Sequence, residues 1–338
     1  MSNIQSLSKL IEHITDKEVL FITTKNLSYI RNTQEINLLN CHARNCTVIG
    51  SSHKSYLIRL INVYFKLLFT SLKDCNMIWV GFAPQLILPL FHHKLCKPDV
   101  TLIEDFFISM FDTLCNDRKT FAPSGLIGKL LHYIDKITLS YGDHIVCDTK
   151  AHSEYFHTEF DAPYKKLCVL YLQADTKIYF PMQLQRPPHL RDKYIVLYFG
   201  SVLPLQGCDI VLQAMKNLAD KKSLYFYFIG PINTKQYKEQ IPLSDNIEYI
   251  NWLPQEELAK YINYADLCLA GHFNTSIEKA KRTIPGKAYI YQAIKKPMIL
   301  GDNPANHELF NNDPNAVFVE MGNAAALANT ILKLSSTT

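Results

Sequence analysis

Short apolar runs alternate with longer segments of helical spacing along the whole chain, and the alternation occurs twice. In the first half, strands are expected at residues 19–23, 77–80, 100–103, 144–147 and 167–171. Helical spacing covers 55–73, 106–115, 125–139 and 149–160. Residues 173–193 break the pattern with Pro181, Pro187, Pro188 and several charges, and read as a linker. The alternation then restarts. Strands are expected at 194–199, 224–229, 247–250, 267–270, 298–300 and 316–319. One helix follows Gly207, with apolar positions Val211, Ala214, Met215 and Leu218. Pro254 opens a second helix over 255–264, with Glu256 and Glu257 in its first turn. A third follows Pro285-Gly286, and a fourth covers 323–334. Such alternation implies an α/β protein with parallel sheets covered on both faces. The expected domains are residues 1–172 and 194–338.

Composition narrows the class. The chain has 338 residues, 48% hydrophobic and 20% charged, enough for two buried cores. A net charge of +4 is too weak to point to nucleic acid. Nine cysteines lack any CxxC pair or zinc-type spacing, so reduced thiols in a cytoplasmic protein are expected, with no metal site. The polar, acid-containing first residues do not read as a secretory signal. No apolar run reaches the roughly 18 residues needed to span a bilayer.

The richest chemistry lies in residues 278–301. Lys279, Lys281 and Arg282 stand before Pro285-Gly286, and a helix with Lys287 near its start follows. Helix-opening amides beside fixed cations suit a diphosphate. A charge run of this kind also fits a solvated basic face. Residues 200–207 connect a strand to a helix at the edge where open α/β sheets bind ligands, and are equally readable as a simple tight turn. Glu104-Asp105 closes an apolar strand. That pair suits orientation of a substrate hydroxyl, and Asp105 also suits an N-cap for a helix starting at Phe106. His272 follows another strand at the same edge. Residues 55–73 carry Arg59, Lys66 and Lys73 in an apolar, aromatic helix. This reads either as a surface for anionic lipid or as a core helix with one wet stripe.

The second half resembles the nucleotide-sugar domain of GT-B glycosyltransferases, most of all the retaining GT4 family. Phe199-Gly-Ser-Val-Leu-Pro-Leu-Gln-Gly207, Ile229-Gly230, Ile250-Asn-Trp-Leu-Pro254, Ala265-Asp-Leu-Cys-Leu269 and residues 278–297 carry the resemblance. Residues 101–112, Asp117-Arg118 and Asp143-His-Ile-Val-Cys-Asp-Thr149 resemble the acceptor domain of the same group. The resemblance spans residues 75–310 and implies two Rossmann-like domains facing a cleft. It implies transfer of a sugar from a UDP- or GDP-sugar to an acceptor hydroxyl, with retained configuration, no metal and no cofactor. The expected acceptor is a glycan or lipid-linked glycan in bacterial cell-surface synthesis. The expected location is cytoplasmic, peripheral on the inner face of the plasma membrane.

By the same resemblance, Gly200, Ser201, Gln206 and Gly207 line the diphosphate and reacting sugar, and Trp252 and Leu253 hold the base. Lys281, Arg282 and Lys287 supply phosphate charge, because Gln206 stands where many relatives carry lysine. Asp105, Glu104 and His272 are the catalytic candidates. Many GT4 enzymes carry two glutamates at the positions occupied here by Arg282 and Ile290, and Glu278 is the nearest acid. The alternative reading is therefore a catalytically weak GT-B protein that binds a carbohydrate or a partner.

Overall fold

The apolar runs of the first half pair into one parallel sheet, as strands buried on both faces do. The computed structural model describes residues 4–232, 237 and 239–336. The chain divides into two units, Met1–Gln173 and Ala174–Thr338. The first runs α1 (Leu7–Ile14), β1 (Glu18–Ile22), α2 (Ile30–His42), β2 (Asn45–Ile49), α3 (Tyr56–Phe69), β3 (Met77–Val80), α4 (Leu88–Leu95), β4 (Thr101–Asp105), α5 (Leu126–Tyr141), β5 (His144–Cys147), α6 (Lys150–Phe160) and β6 (Leu167–Val169). Its strand order is β2-β1-β3-β4-β5-β6. The order reverses between β1 and β3, which places a ligand crevice beyond the carboxyl ends of those strands.

Alternating side chains feed two cores. Leu20, Ile22, Ile78 and Val80 pack with Val63 and Leu67 of α3 and Leu88 and Leu95 of α4. Val19, Phe21, Met77 and Trp79 pack with Leu10 and Ile14 of α1 and Leu39 of α2.

The expectation of a helix over 106–115 is corrected. The Phe106 amide instead donates to the Val146 carbonyl at 2.9 Å, extending the sheet. A π-helical turn, Asp112–Asp117, follows later. The buried Asp135 carboxylate organises this segment by accepting from Ser109 Oγ at 2.6 Å and the Phe111 amide at 2.8 Å. Asp105 is therefore no helix cap.

Glu104 and Asp105 are both fully buried. Glu104 lies against Gly142, where a Cβ would come within 2.8 Å of Oε1. Burial raises its pKa well above the carboxylate range, against the pull of Lys166. A folded-state pKa above the unfolded one gives stability that is largest at low pH and falls as pH rises through the folded value. Glu104→Gln should therefore raise the melting temperature at pH 8, with the gain shrinking toward pH 4.5. A gain independent of pH would show that Glu104 is not the titrating group.

The second unit runs β7 (Tyr194–Phe199), α7 (Cys208–Asn217), β8 (Leu224–Ile229), β9 (Ile247–Ile250), α8 (Gln255–Tyr264), β10 (Leu267–Gly271), α9 (Lys279–Arg282), α10 (Gly286–Ile294), β11 (Met298–Gly301), α11 (Pro304–Phe310), β12 (Ala316–Val319) and α12 (Ala324–Ser335). The order β12-β11-β10-β7-β8-β9 reverses between β7 and β10. Every neighbouring pair is parallel. Residues 174–193 pack onto this unit. The Met182 amide donates to Asn263 Oδ1 at 2.8 Å, and Arg186 pairs with Asp266.

Candidate functional site

The reversal between β7 and β10 brings Gly200, which follows β7, beside Gly271 and His272 at the end of β10. Two local features open this edge. Gly200 has φ of 146°, and a Cβ there would lie 3.2 Å from Lys287 Nζ. Gly207, at φ 67°, turns the chain into α7 so tightly that a Cβ would sit 2.8 Å from the Asn274 amide nitrogen. Between them the short 3-10 turn Pro204–Gln206 presents the Gln206 side chain.

Lys287 lies in the first turn of α10. That turn holds no acid, and its N-cap, Pro285, makes no side-chain cap. Helix N-termini disfavour cations, so a buried lysine there is placed against the dipole. Its Nζ donates to Gln206 Oε1 at 2.6 Å and sits 4.1 Å from the Tyr198 ring centroid. It has no ion pair among the described residues. Burial lowers its pKa to about 7, against a small opposing pull from Cys208. A cation held in this way is an electrostatic demand for an anion.

His272 is 3% exposed, and its Nδ1 has no hydrogen-bond partner. Burial, then Lys287, lowers its pKa to about 3, so the ring is neutral near pH 7 and serves as a hydrogen-bonding group rather than a cation. Tyr198, whose hydroxyl lies 3.2 Å from Cys208 Sγ, forms the floor under Lys287. Sequence reasoning passed over it because it reads as an ordinary strand aromatic.

The structure thus gathers Gly200, Gln206, Gly207, His272 and Lys287. The other donor candidates are less central. Ser201 is exposed. Glu278, exposed at the N-cap of α9, pairs at 2.7 Å with the half-buried Lys281 of that helix, so neither is a free charge. Arg282, on the same short helix, is half-buried. Ala280 of α9 packs against Leu205 beneath the Gln206 turn. Trp252, 71% exposed, and Leu253 follow β9, two strands away from β7.

In the first unit the acceptor expectation for Glu104 and Asp105 is corrected by burial. Arg31 Nη2 and Nε donate to Asp105 at 2.8 and 3.2 Å, and Glu35 lies 3.4 Å from Arg31 Nε, all three fully buried. Asp105 cannot meet a substrate while that network stands, and Glu104 is fully buried against Gly142. The basic stripe read for residues 55–73 is corrected at one of its three residues. Arg59 is buried, whereas Lys66, which donates to the Gly50 carbonyl at 2.9 Å, and Lys73 are exposed. Lys73 lies beyond the end of α3. Most of what α3 exposes is apolar, with Leu57 at 65%, Phe65 at 63% and Phe69 at 74%, and Lys66 lies among them. No group of three His, Cys, Asp or Glu side chains that could hold a metal ion occurs among the described residues.

Residues 193–337 match the family model described as glycosyl transferases group 1. The sequence finds no match among curated proteins. Among solved structures, the fold is similar to sucrose-phosphate synthase from Thermosynechococcus elongatus, with TM-score 0.67 and 13% identity over 95% of this chain and 90% of that one. It is similar to HepE from Anabaena in complex with UDP, with TM-score 0.64 and 11% identity over 94% and 90%. It is also similar to the E. coli trehalose-6-phosphate protein bound with UDP-2-fluoro glucose, with TM-score 0.62 and 12% identity over 95% and 92%. At these identities the likeness shows the GT-B fold.

Proposed function

We propose that this GT-B chain, whose residues 193–337 form a glycosyl transferases group 1 domain, transfers a sugar from a UDP- or GDP-sugar to an acceptor hydroxyl, with retained configuration and without a metal. The observation that carries the reading is Lys287. It is a buried ammonium with no carboxylate, aimed past a side-chain-free Gly200 at the reversal point of a parallel sheet. Charge on the leaving diphosphate grows as the glycosidic bond breaks. A preorganised cation and the opening amides of α10 stabilise that charge without reorganising. In this reading the leaving phosphate takes the acceptor proton, so no protein carboxylate is needed, consistent with the burial of Asp105. HepE and the E. coli protein were solved with UDP or UDP-sugars, which supports that donor class here.

Calorimetric titration with UDP and GDP tests the reading. Saturable binding of one of them is expected, followed by its release from the matching nucleotide sugar when acceptor is supplied. Absence of binding by both would sink the donor assignment. Binding without turnover would favour the catalytically weak alternative, which the residues Arg282 and Ile290 at the usual glutamate positions support.

A cytoplasmic location peripheral to the inner membrane face, with a glycan or lipid-linked acceptor of cell-surface synthesis, is the finer part of the proposal. Nine free thiols suit a reducing compartment. The support for membrane contact is the exposed apolar side of α3, with the exposed Lys66 and Lys73 beside it. No helix of the described residues is long and apolar enough to cross a membrane. Flotation with phosphatidylglycerol vesicles should be lost in a Leu57/Phe65/Phe69→Ser variant. Equal flotation of variant and wild type would remove α3 as the contact.

A further inference from the structure

The first unit holds a second place where buried positive charge lacks a partner. α3 begins after the loop 50–55, and Ser55 at its N-cap makes no side-chain bond to the helix amides. No acid stands in its first turn, and no aspartate or glutamate occurs between Glu35 and Asp74. Arg59 stands near that N-terminus instead, only 7% exposed. This opposes the helix dipole, as Lys287 does in the second unit. Arg59 Nη1 donates to the carbonyls of His53 and Lys54 at 2.6 and 3.0 Å, but its buried Nε has no partner.

The start of α3 is tied to the reversal point of the sheet. The Arg59 guanidinium lies 5.2 Å from the Tyr56 ring centroid. The Tyr56 hydroxyl is 3.0 Å from Thr24 Oγ1, and that hydroxyl donates to the Phe82 carbonyl at 3.1 Å. Thr24 follows β1 and Phe82 follows β3. Lys25, the next residue, sets its Nζ 4.8 Å from the Phe82 centroid and 5.3 Å from that of Tyr29. It has no ion pair among the described residues. Burial, then repulsion from Arg59 and the exposed Arg118, keeps its pKa below the ordinary lysine value. Two cations, Lys25 and Arg59, beside the uncapped opening amides of α3 favour a group carrying more than one negative charge. A phosphate monoester carries about −1.5 to −2 at neutral pH and offers three acceptor oxygens.

We infer that this edge of the first sheet binds a phosphate group, held by Lys25, Arg59 and the opening amides of α3, and that the sugar acceptor is a phosphorylated molecule. The second clause rests on the glycosyltransferase reading, while the first stands alone. The test is calorimetric titration of the full chain at pH 8 and low salt with glucose 6-phosphate, inorganic phosphate and glucose. Both phosphates should bind saturably and glucose should not. Lys25→Met should weaken phosphate binding at least tenfold without lowering the melting temperature, because Lys25 makes no structural hydrogen bond through its side chain and methionine keeps the packing on Tyr29 and Phe82.

Phosphatidylglycerol vesicles distinguish the source of the phosphate. If it is a lipid headgroup, glucose 6-phosphate should release bound protein; if it is soluble, vesicle binding should be indifferent to it. No saturable phosphate binding by wild type, or equal binding by Lys25→Met, would overturn the site. Titrating UDP and GDP on the same samples separates the two readings. Nucleotide binding without phosphate binding removes only this site. Phosphate binding without nucleotide binding removes the donor reading and leaves the site.

Discussion

Replacing Lys287 with methionine is expected to weaken UDP or GDP binding while making the free protein more stable. The lost charge-assisted contact is worth about 1.5–3 kcal/mol. That corresponds to roughly ten- to hundredfold weaker binding. The gain in stability comes from removing a buried ammonium whose only described polar partner is the Gln206 carbonyl. Gln206 is half-buried, so its amide can turn to water in the variant. A merely structural lysine would give the opposite sign, with stability lost and affinity unchanged.

The same residue sets a pH dependence. In the free protein the Lys287 pKa is about 7, below the ordinary 10.5. A depressed base destabilises the fold most below pH 7, and stability recovers as pH rises from there toward the unfolded value. A bound diphosphate favours the charged form, so affinity should be greatest below pH 7 and fall as pH rises above it. Titrations at pH 6.5, 7.5 and 8.5 should show this in wild type and a flat response in Lys287→Met. A wild-type affinity that does not vary from pH 7.5 to 8.5 would exclude titration of Lys287 at the site.

Asp105→Ala should be the most damaging single change considered for the first unit. It strips Arg31 of a two-point carboxylate partner inside a fully buried network. Breaking a buried pair on one side costs about 3–5 kcal/mol. Glu35 moderates that cost. It is held well above the usual carboxylate pKa by burial and then by Asp105. With Asp105 gone it can ionise against Arg31, 3.4 Å away. The double variant Asp105→Ala/Glu35→Gln should therefore be less stable than the sum of the single changes, measured by urea unfolding. If Asp105→Ala instead keeps its stability and loses only turnover, the residue orients acceptor after all.

The legible parts were those written in local pattern. Strands β3, β5, β7, β8 and β10 are buried on both faces, so they read as unbroken apolar runs. α10 was announced by Pro285-Gly286, and with it the place of Lys287. The illegible parts were those whose buried faces are polar or whose length is small. α2 turns Arg31, Asn32 and Glu35 inward, which erases its apolar stripe. β2 lies at the sheet edge and is mostly uncovered.

The sequence by itself determined the alternation of elements, the class of both sheets and the stretch that carries Lys287. It did not rank Lys281, Arg282 and Lys287, which look alike as letters. Strand order decided that. By setting β10 against β7 it carried His272 and Gly200 to Lys287, and left Lys281 half-buried with Glu278 as partner. The same applies to Asp105, which becomes a structural ion through Arg31, far away in the chain. The chemistry of a charged side chain depends on the groups that surround it in space and on how much water they exclude. Those are properties of the packed fold, whereas periodicity is a property of neighbours along the chain.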